Sequence, residues 1–439
     1  MKKLKILIVL PEGQKHRIPL GDSYISFREA PLTATMLAAL VPADLDADVT
    51  IVDESVSPVP FKNQFDLVAI SILTGTSIRG YEIAKHFKMQ GSYIVIGGVH
   101  ATLRPEEAGK FADTVVSGFA ERTWPVLLKD YKNNTIKKFY NDDASHIKDL
   151  PMPRRDLQNK FGYMMPYTVF ATRGCRSKCS FCSVPVSGFE WHKRPVDQVI
   201  DEIKKIPAKR FAFNDVNLTD DPEYAKELFK ALIPLKKKWG GLASTTIAKN
   251  EELLELMAQS GCGYLLIGFE SSDPIALTSI RKGFNRAKEY QEVMFQLHKQ
   301  NIIVQGCFIF GLDGEGVDVF DRTVALADDL KIDIPRYAVF TPYPETPAYH
   351  KLKSEGRILH EHWQYYDTQH VVFQPLNMTP EELDRGFIRA YEKSFSMKSI
   401  LRRTIATKKN FPVTLAGNTA YRMYVRKLKN ERNRFPVKI

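Results

Sequence analysis

Thr168-Val-Phe-Ala-Thr-Arg173-Gly-Cys175-Arg-Ser-Lys-Cys179-Ser-Phe181-Cys182 sets an apolar, partly β-branched run directly before three cysteines crowded into eight positions. Such a run reads as a buried strand, so the thiols fall in the loop at its carboxyl end. Three thiolates in one tight loop can hold three irons of a cubane and leave the fourth iron open for chemistry. Cys262 and Cys307 lie far along the chain in apolar strand contexts and read as core thiols. A structural zinc site wants four ligands. His192 could supply the last, but zinc knuckles seldom use a three-residue first gap. An odd total of five cysteines argues against a secreted disulfide framework and fits a reducing, cytoplasmic compartment.

The same strand opens an alternating series. Strands are expected at Thr168–Arg173, Phe211–Asn214, Leu242–Ile247, Tyr264–Phe269, Ile303–Phe310 and Tyr337–Thr341, with helical stretches at Asp197–Lys205, Ala225–Leu235, Asn250–Ser260 and Ala287–Lys299. Six βα units in one region imply a barrel, complete or partial, whose active site lies at the carboxyl ends of the strands. Upstream, Leu4–Leu10, Val49–Val52, Leu67–Ile72, Tyr93–Ile96 and Thr114–Val116 predict a separate doubly wound parallel sheet. Ligands of such sheets sit beyond the strand carboxyl ends, here Ser71-Ile-Leu73-Thr74 and Gly97-Gly98-Val99. The Leu4–Leu10 run ends at Pro11 and is too short to span a membrane. Residues 120 to 165, with Pro125, Pro151 and Pro153, show no clear period and read as a connector with some helix.

The CxxxCxxC loop after a barrel strand resembles the radical S-adenosylmethionine superfamily. In that family the methionine amino and carboxylate groups chelate the open iron, one electron breaks the C5′–S bond, and a 5′-deoxyadenosyl radical results. The resemblance implies a [4Fe–4S] cluster on Cys175, Cys179 and Cys182. It places Phe181 near the adenine and Asp215, with Asn217 second, near the methionine amino group. Gly268-Phe-Glu270-Ser271 resembles the family's G-F-E-S segment and puts Glu270 and Ser271 by bound S-adenosylmethionine. Ile309-Phe-Gly311-Leu-Asp313-Gly314 and Thr341-Pro-Tyr-Pro-Glu345-Thr-Pro347 resemble later barrel motifs, which adds Gly311. The family usually has glycine where this chain has Glu345, which either tightens the turn or places a carboxylate by the substrate.

The first 120 residues are similar to the cobalamin-binding domain commonly found ahead of such barrels. Ser71, Leu73, Thr74, Gly97, Gly98 and Val99 match its nucleotide-tail segments. No D-x-H-x-x-G loop occurs, the nearest run in spacing being Asp22-Ser-Tyr24-Ile-Ser-Phe27. The resemblance then implies either cobalt without its lower imidazole or a domain that has lost cobalamin. His16 is a substitute ligand or a plain surface histidine. A radical source and a corrinoid in one chain predict C-methylation, since a hard radical reaction is carried by cofactors and positioned by protein. The fold class follows: α/β, with a doubly wound cobalamin-binding-like domain (1–140), a connector (141–165), a partial (β/α)6 radical barrel (166–350) and a mainly helical extension (351–439).

The formal charge of +11 belongs to the end of the chain. From Lys398 onward there are twelve Lys or Arg and one acid, Glu431, while the remaining 50 basic and 50 acidic residues cancel. Such a tail suits an anionic membrane surface, an anionic substrate or an acidic redox partner, and equally a solvated closing segment. No nucleic-acid partner is expected, because the chain offers two βα series and no aromatic platform interleaved with basic residues. Glu355-Gly-Arg357, Trp363-Gln-Tyr365-Tyr366, His370-Val-Val-Phe373 and Met378-Thr-Pro-Glu resemble the end region of cobalamin-type radical enzymes acting on apolar frameworks, including the hopanoid methylases. Thr379-Pro-Glu-Glu is also a helix start with a capping threonine. The aromatic residues either line a substrate pocket or close the barrel's open side.

The leading expectation is a cobalamin-dependent methyltransferase acting on an unactivated carbon of a small, hydrophobic substrate, with flavodoxin or ferredoxin as reductant. A non-methylating radical enzyme (an oxidative cyclase, a rearrangement enzyme or another transferase from S-adenosylmethionine) is the alternative.

Overall fold

In the run Leu4–Leu10 only Lys5 is polar, and Ile6 through Val9 are wholly buried. A strand buried on both faces belongs inside a parallel sheet covered by helices. The computed structural model, which describes residues 3–13, 17–20, 23–142, 147–404 and 410–431, places it there. It lies second in an all-parallel sheet ordered Ala47–Asp53, Leu4–Leu10, Leu67–Ser71, Tyr93–Gly97, Thr114–Gly118, Phe139–Asp142. Helix Ser77–Met89 covers one face through Tyr81, Ile83, Ala84 and Phe87. Helices Thr33–Ala39 and Ala120–Lys132 cover the other through Ala34, Ala38, Trp124, Leu127 and Leu128. Strand order reverses between Leu4–Leu10 and Leu67–Ser71, and the crevice beyond their carboxyl ends is where such sheets take ligands.

The stretch read as a connector contributes more than expected: a 13-residue helix, Ala120–Lys132, and the sheet's sixth strand. An unforeseen three-stranded sheet pairs Arg17–Leu20 with Ser23–Glu29 and then with Tyr163–Met165. This stitches the first loop of the chain to the entry of the second unit.

That second unit is a six-stranded parallel sheet in simple sequence order: Thr168–Val169, Arg210–Phe213, Lys238–Ala243, Cys262–Glu270, Ile303–Phe310, Ile334–Val339. Helices alternate with these strands, and one continuous apolar core packs between them. The third strand starts four residues earlier than the pattern predicts. Residues Thr245–Lys249 form a 3₁₀ turn instead. Gly240 is needed in that strand because a side chain there would press on the Tyr264 ring at 3.0 Å. The expected capping threonine is real. Thr379 Oγ1 accepts from Glu382 N–H, and the Glu382 carboxylate accepts from Thr379 N–H, opening helix Pro380–Ser394.

This helix packs against Val319–Asp329 and the outer face of Ile334–Val339; helices Met397–Thr404 and Phe411–Glu431 follow. Part of the basic tail is structural. Arg403 is fully buried and donates to the carbonyls of Ile332, Asp333 and Ser394 and to Asn418, beside Asp328. Arg402 pairs with Asp329. Residues 405–409 and 432–439, which carry five of the tail's cations, lie outside the described residues. No helix among the described residues is long and apolar enough to cross a membrane.

Candidate active site

The strand Thr168–Val169 runs on to Thr172–Arg173, which pairs antiparallel with His192–Lys193, and the cysteine loop begins two residues later. Gly174 sits at φ +74, and a Cβ there would meet the Glu190 carbonyl oxygen at 2.1 Å, a position closed to any side chain. Arg176 then ties the loop down, its N–H donating to the Asp220 carboxylate at 2.9 Å while its guanidinium lies over the Trp191 ring at 4.0 Å. Ser180 N–H donates to the Ile280 carbonyl and Ala348 N–H to the Ser180 carbonyl. The loop's backbone is thereby clamped from both ends of the second unit.

Cys175, Cys179 and Cys182 are free and half-buried. Burial pushes each thiol up, so without a positive centre all three stay protonated at neutral pH. Among the described residues no group of three His, Cys, Asp or Glu closes on a single metal ion. Three thiols in one loop past a strand end are the donor set that a cubane with one open iron takes. His192 packs edge-on against Phe119 instead, with ring centroids 6.4 Å apart. Of the two remaining thiols, Cys262 is core as expected. Cys307 is half-exposed rather than core, a correction to the expected core thiol; its register sets it opposite Arg336 and Gly268.

The expected S-adenosylmethionine residues gather at the carboxyl ends of the strands, but several are already engaged. Asp215 is buried, and its carboxylate accepts from Ala171 N–H at 3.1 Å, from Thr172 N–H, and from the Thr172 hydroxyl at 2.6 Å. It braces the strand that leads into the cysteine loop. Asn217 donates to Asp220 and accepts from the Thr219 hydroxyl. Phe181 packs on the central core, 6.5 Å from the Phe340 ring. Glu270 stands at φ +64 past a bulge in its strand and pairs with Lys282. A side chain at Gly268 would collide with that pair, Glu270 Oε1 lying 2.2 Å from the Cβ position, which explains the glycine of the motif. Burial opposes the Lys282 charge, but Glu270 more than offsets it and holds the ammonium protonated, within electrostatic reach of Cys179.

Two residues that sequence reasoning missed hold this end together. Glu315, buried, accepts from the Ser271 hydroxyl at 2.7 Å and from the N–H groups of Gly311 and Leu312. Desolvation pushes its carboxyl up to about 7. Asn285 donates to the Gly268 and Phe269 carbonyls at 2.9 Å. No local motif announces either residue. Ser271 and Gly311 thus meet through Glu315, 44 and 4 residues away.

In the first unit, Ser71, Leu73, Gly97, Gly98 and Val99 line a cavity of about 430 Å3. Thr74 does not; it is buried, with its hydroxyl 3.3 Å from His100 Nδ1. The two segments lie side by side, with Ile72 N–H donating to the Gly97 carbonyl and His100 N–H to the Ile72 carbonyl. Gly98, at φ +98, leaves 2.6 Å between its Cβ position and Ile72 O, so only glycine closes this cradle. Leu73 is half-exposed at the cavity wall, apolar surface suited to a large flat ligand. The opposite wall comes from the second unit: Phe170, Thr172, Arg173, Gly174, Asn214 and Val216. Arg173 pairs across the boundary with buried Glu121. The residues present therefore fit cobalamin held by backbone edges and apolar side chains. No histidine among the described residues lines the cavity, and His16 and Asp22 lie outside them. A larger surface groove, near Lys193 and Lys204, carries none of the expected site residues.

The aromatic end region closes the structure. Trp363 is buried, donates to Glu107 at 3.1 Å and packs edge-on to His100. Tyr366 donates to the His360 carbonyl. Glu345, in the left-handed region at φ +63, pairs with Arg104 of the first unit at 3.1 Å and with His350. The glycine usual at that position is thus replaced by an ion pair between the two units.

Fold and site together point to a class: an iron–sulfur enzyme acting on S-adenosylmethionine, with a second cofactor cradle facing the strand that leads into the cysteine loop. Residues 169–327 match the Radical SAM superfamily and residues 346–430 match a domain of unknown function, DUF4070. The chain is 33% identical over 418 residues to the bacteriochlorophyllide d C-12(1)-methyltransferase of Chlorobaculum tepidum, covering 91% of this chain and 89% of that one. It is 26% identical to the bacteriochlorophyllide d C-8(2)-methyltransferase of the same organism, covering 86% and 88%. Among solved structures, the methyltransferase TsrM from Kitasatospora setae, with cobalamin and a [4Fe–4S] cluster bound, superposes with a TM-score of 0.62 at 14% identity, over 81% of this chain and 75% of that one. The chain belongs to the cobalamin-binding-domain radical S-adenosylmethionine enzymes, in their methyltransferase-like class.

Proposed function

We propose that this enzyme C-methylates an unactivated carbon on a substituent of an apolar tetrapyrrole ring of the bacteriochlorophyllide kind. The observation that carries this reading is the single cavity whose walls are the Gly97-Gly98 cradle on one side and the strand leading into the cysteine loop on the other. The cradle for the methyl donor and the strand that feeds the cysteine loop face one space there. The two bacteriochlorophyllide relatives, aligned over nearly the whole chain, supply the substrate class.

When bound, the cluster supplies the electron that cleaves S-adenosylmethionine, and cobalamin supplies the methyl group. Cys175, Cys179 and Cys182 hold the cluster. Glu270, oriented by Lys282, offers a carboxylate to the hydroxyl and ammonium donors of S-adenosylmethionine. Ser271 and Gly311 shape the same rim through Glu315, and Phe181 forms apolar wall. Asp215 acts at one remove by fixing the strand that feeds the loop. Ser71, Leu73, Gly97, Gly98 and Val99 would hold the corrinoid, with Thr74 supporting them from inside the fold. Trp363 and the Arg104–Glu345 pair keep the two units registered, which a transfer between two cofactors requires.

The domain limits 1–140, 141–165, 166–350 and 351–439 belong to this proposal, as does curvature of the second sheet into a partial (β/α)6 barrel. So do a cytoplasmic location, a flavodoxin or ferredoxin reductant, and contact of the remaining tail cations with an anionic membrane surface. The test is anaerobic incubation of the reconstituted enzyme with S-adenosylmethionine, a reductant and bacteriochlorophyllide d. The expected outcome is a singly methylated product with S-adenosylhomocysteine and 5′-deoxyadenosine formed in equal amounts. Substrate-dependent 5′-deoxyadenosine without S-adenosylhomocysteine would instead establish the non-methylating alternative.

A further inference from the structure

Arg336 stands in the middle of the second sheet's last strand, Ile334–Val339. Its neighbour Tyr337 points outward, its hydroxyl 2.6 Å from Ser394 on helix Pro380–Ser394. Side chains alternate along a strand, so Arg336 points to the concave face. The register confirms it: Arg336 lies opposite Cys307, and Cys307 opposite Gly268, one row below the Glu270–Lys282 pair. In a closed (β/α)8 barrel such rows are packed solid with bulky branched side chains. Here Gly268 and Gly240 contribute no side chain and Ala338 only a methyl, and Arg336 remains exposed to the space they leave.

The guanidinium has no ion-pair or hydrogen-bond partner among the described residues. The groups that bear on it are hydroxyls and a thiol: Tyr264, Cys307, Tyr391 and Tyr421. Two of those hydroxyls are already tied together. Tyr264 donates to Gln305, and Gln305 donates to Tyr421 of the last helix at 2.5 Å, which floors the concavity. Tyr343, half-buried, lies within electrostatic reach of both Arg336 and Cys182. Tyr343 thus stands between the cation and the cysteine loop. Exposed to that space and unpaired, with the Glu29 carboxylate bearing on Tyr264 and Tyr421 beside it, the cation is open to an anionic partner.

We propose that Arg336 anchors a carboxylate of the substrate, so that the substrate is an apolar molecule carrying a free acid group. Arginine suits the role because its planar fork takes a carboxylate through two parallel hydrogen bonds. The anchor fixes one end of an otherwise apolar molecule and sets which carbon faces the cysteine loop. This inference rests on the methyltransferase reading and narrows its substrate class.

The test uses two pairs of probes with the reconstituted holoenzyme: pheophorbide a against its methyl ester, and decanoate against decan-1-ol. Binding is read by fluorescence quenching for the first pair and by calorimetry for the second. Wild type should bind the acid at least tenfold more tightly than its neutral partner, R336Q should lose that preference, and R336K should keep part of it. Iron content of each variant reports that it is folded. Acid preference for decanoate that depends on Arg336, with no chlorin binding, upholds the anchor and overturns the tetrapyrrole reading. Chlorin binding with no difference between acid and ester, or no acid preference with either pair, overturns the anchor. So does an R336Q enzyme that keeps its acid preference and loses affinity for S-adenosylmethionine, since Arg336 would then serve the cofactor.

Discussion

Asp215 decides between two ways of building this active site, and one substitution separates them. Its carboxylate is the acceptor for three donors, the N–H groups of Ala171 and Thr172 and the Thr172 hydroxyl, all buried. In D215A these donors lose their partner in a place water does not reach. At about 1–3 kcal/mol for each of the three buried donors left unmade, the loss is about 3–9 kcal/mol, a large part of a domain's usual stability of about 5–15 kcal/mol. D215N keeps one acceptor oxygen and turns an amide N–H₂ toward the remaining donors, so it should lose less, about 1–3 kcal/mol. Because Thr172 lies only three residues before Cys175, loosening it should also scatter the thiols. Anaerobic urea denaturation, with iron content after reconstitution, reads both effects. The brace predicts that stability and iron loading fall together, D215A more than D215N. If both variants keep wild-type stability and four irons but lose affinity for S-adenosylmethionine, Asp215 is a ligand of the methionine amino group and the brace is wrong.

Three further outcomes follow from particular side chains. Desolvation raises the carboxyls of Glu315 to about 7 and Asp215 to about 6, above their ordinary values of 4.5 and 3.8. The folded form thus keeps protons that the unfolded chain has released, so these groups' stabilisation is full below about pH 4 and lost as pH rises through 6 to 7. Urea midpoints measured from pH 5 to 8 should show this loss in wild type and less of it in E315Q; identical slopes would contradict the assignment. E345G removes a left-handed non-glycine residue, worth about 1–2 kcal/mol of relief, and an exposed ion pair worth about 0–1 kcal/mol, so its thermal stability should be unchanged or slightly raised. A loss beyond about 2 kcal/mol would mean that the Arg104 contact between the units matters more than its exposure suggests. G98V, which drives a side chain into the Ile72 carbonyl, should abolish cobalamin retention while leaving four irons bound; retained cobalt would move the corrinoid elsewhere.

What could be read from the sequence was what is local. Leu4–Leu10 and Ile303–Phe310 matched residue for residue, because continuous apolar runs bounded by turn signals leave little choice of structure. The three cysteines announced themselves by spacing alone. The start of the strand Lys238–Ala243 was read four residues late because Lys-Trp-Gly-Gly reads as a turn; its Gly240 is there to admit the Tyr264 ring from the neighbouring strand. Phe139–Asp142 is a four-residue edge strand with alternate residues exposed, too short to show a period. Lys282, Asn285, Glu315 and Arg336 escaped for a different reason. Each earns its place through a partner or a space supplied by a distant strand, and no window of sequence contains both.

In the proposed enzyme one chain holds both a radical source and a methyl-donor cofactor. Anaerobic reconstitution with iron, sulfide and hydroxocobalamin, followed by desalting and metal analysis, tests it most directly. The account predicts about four irons and one cobalt per chain, a stoichiometry taken from one cubane and one corrinoid. Four irons with no retained cobalt would leave a radical enzyme whose first domain holds no corrinoid, and would contradict the claim.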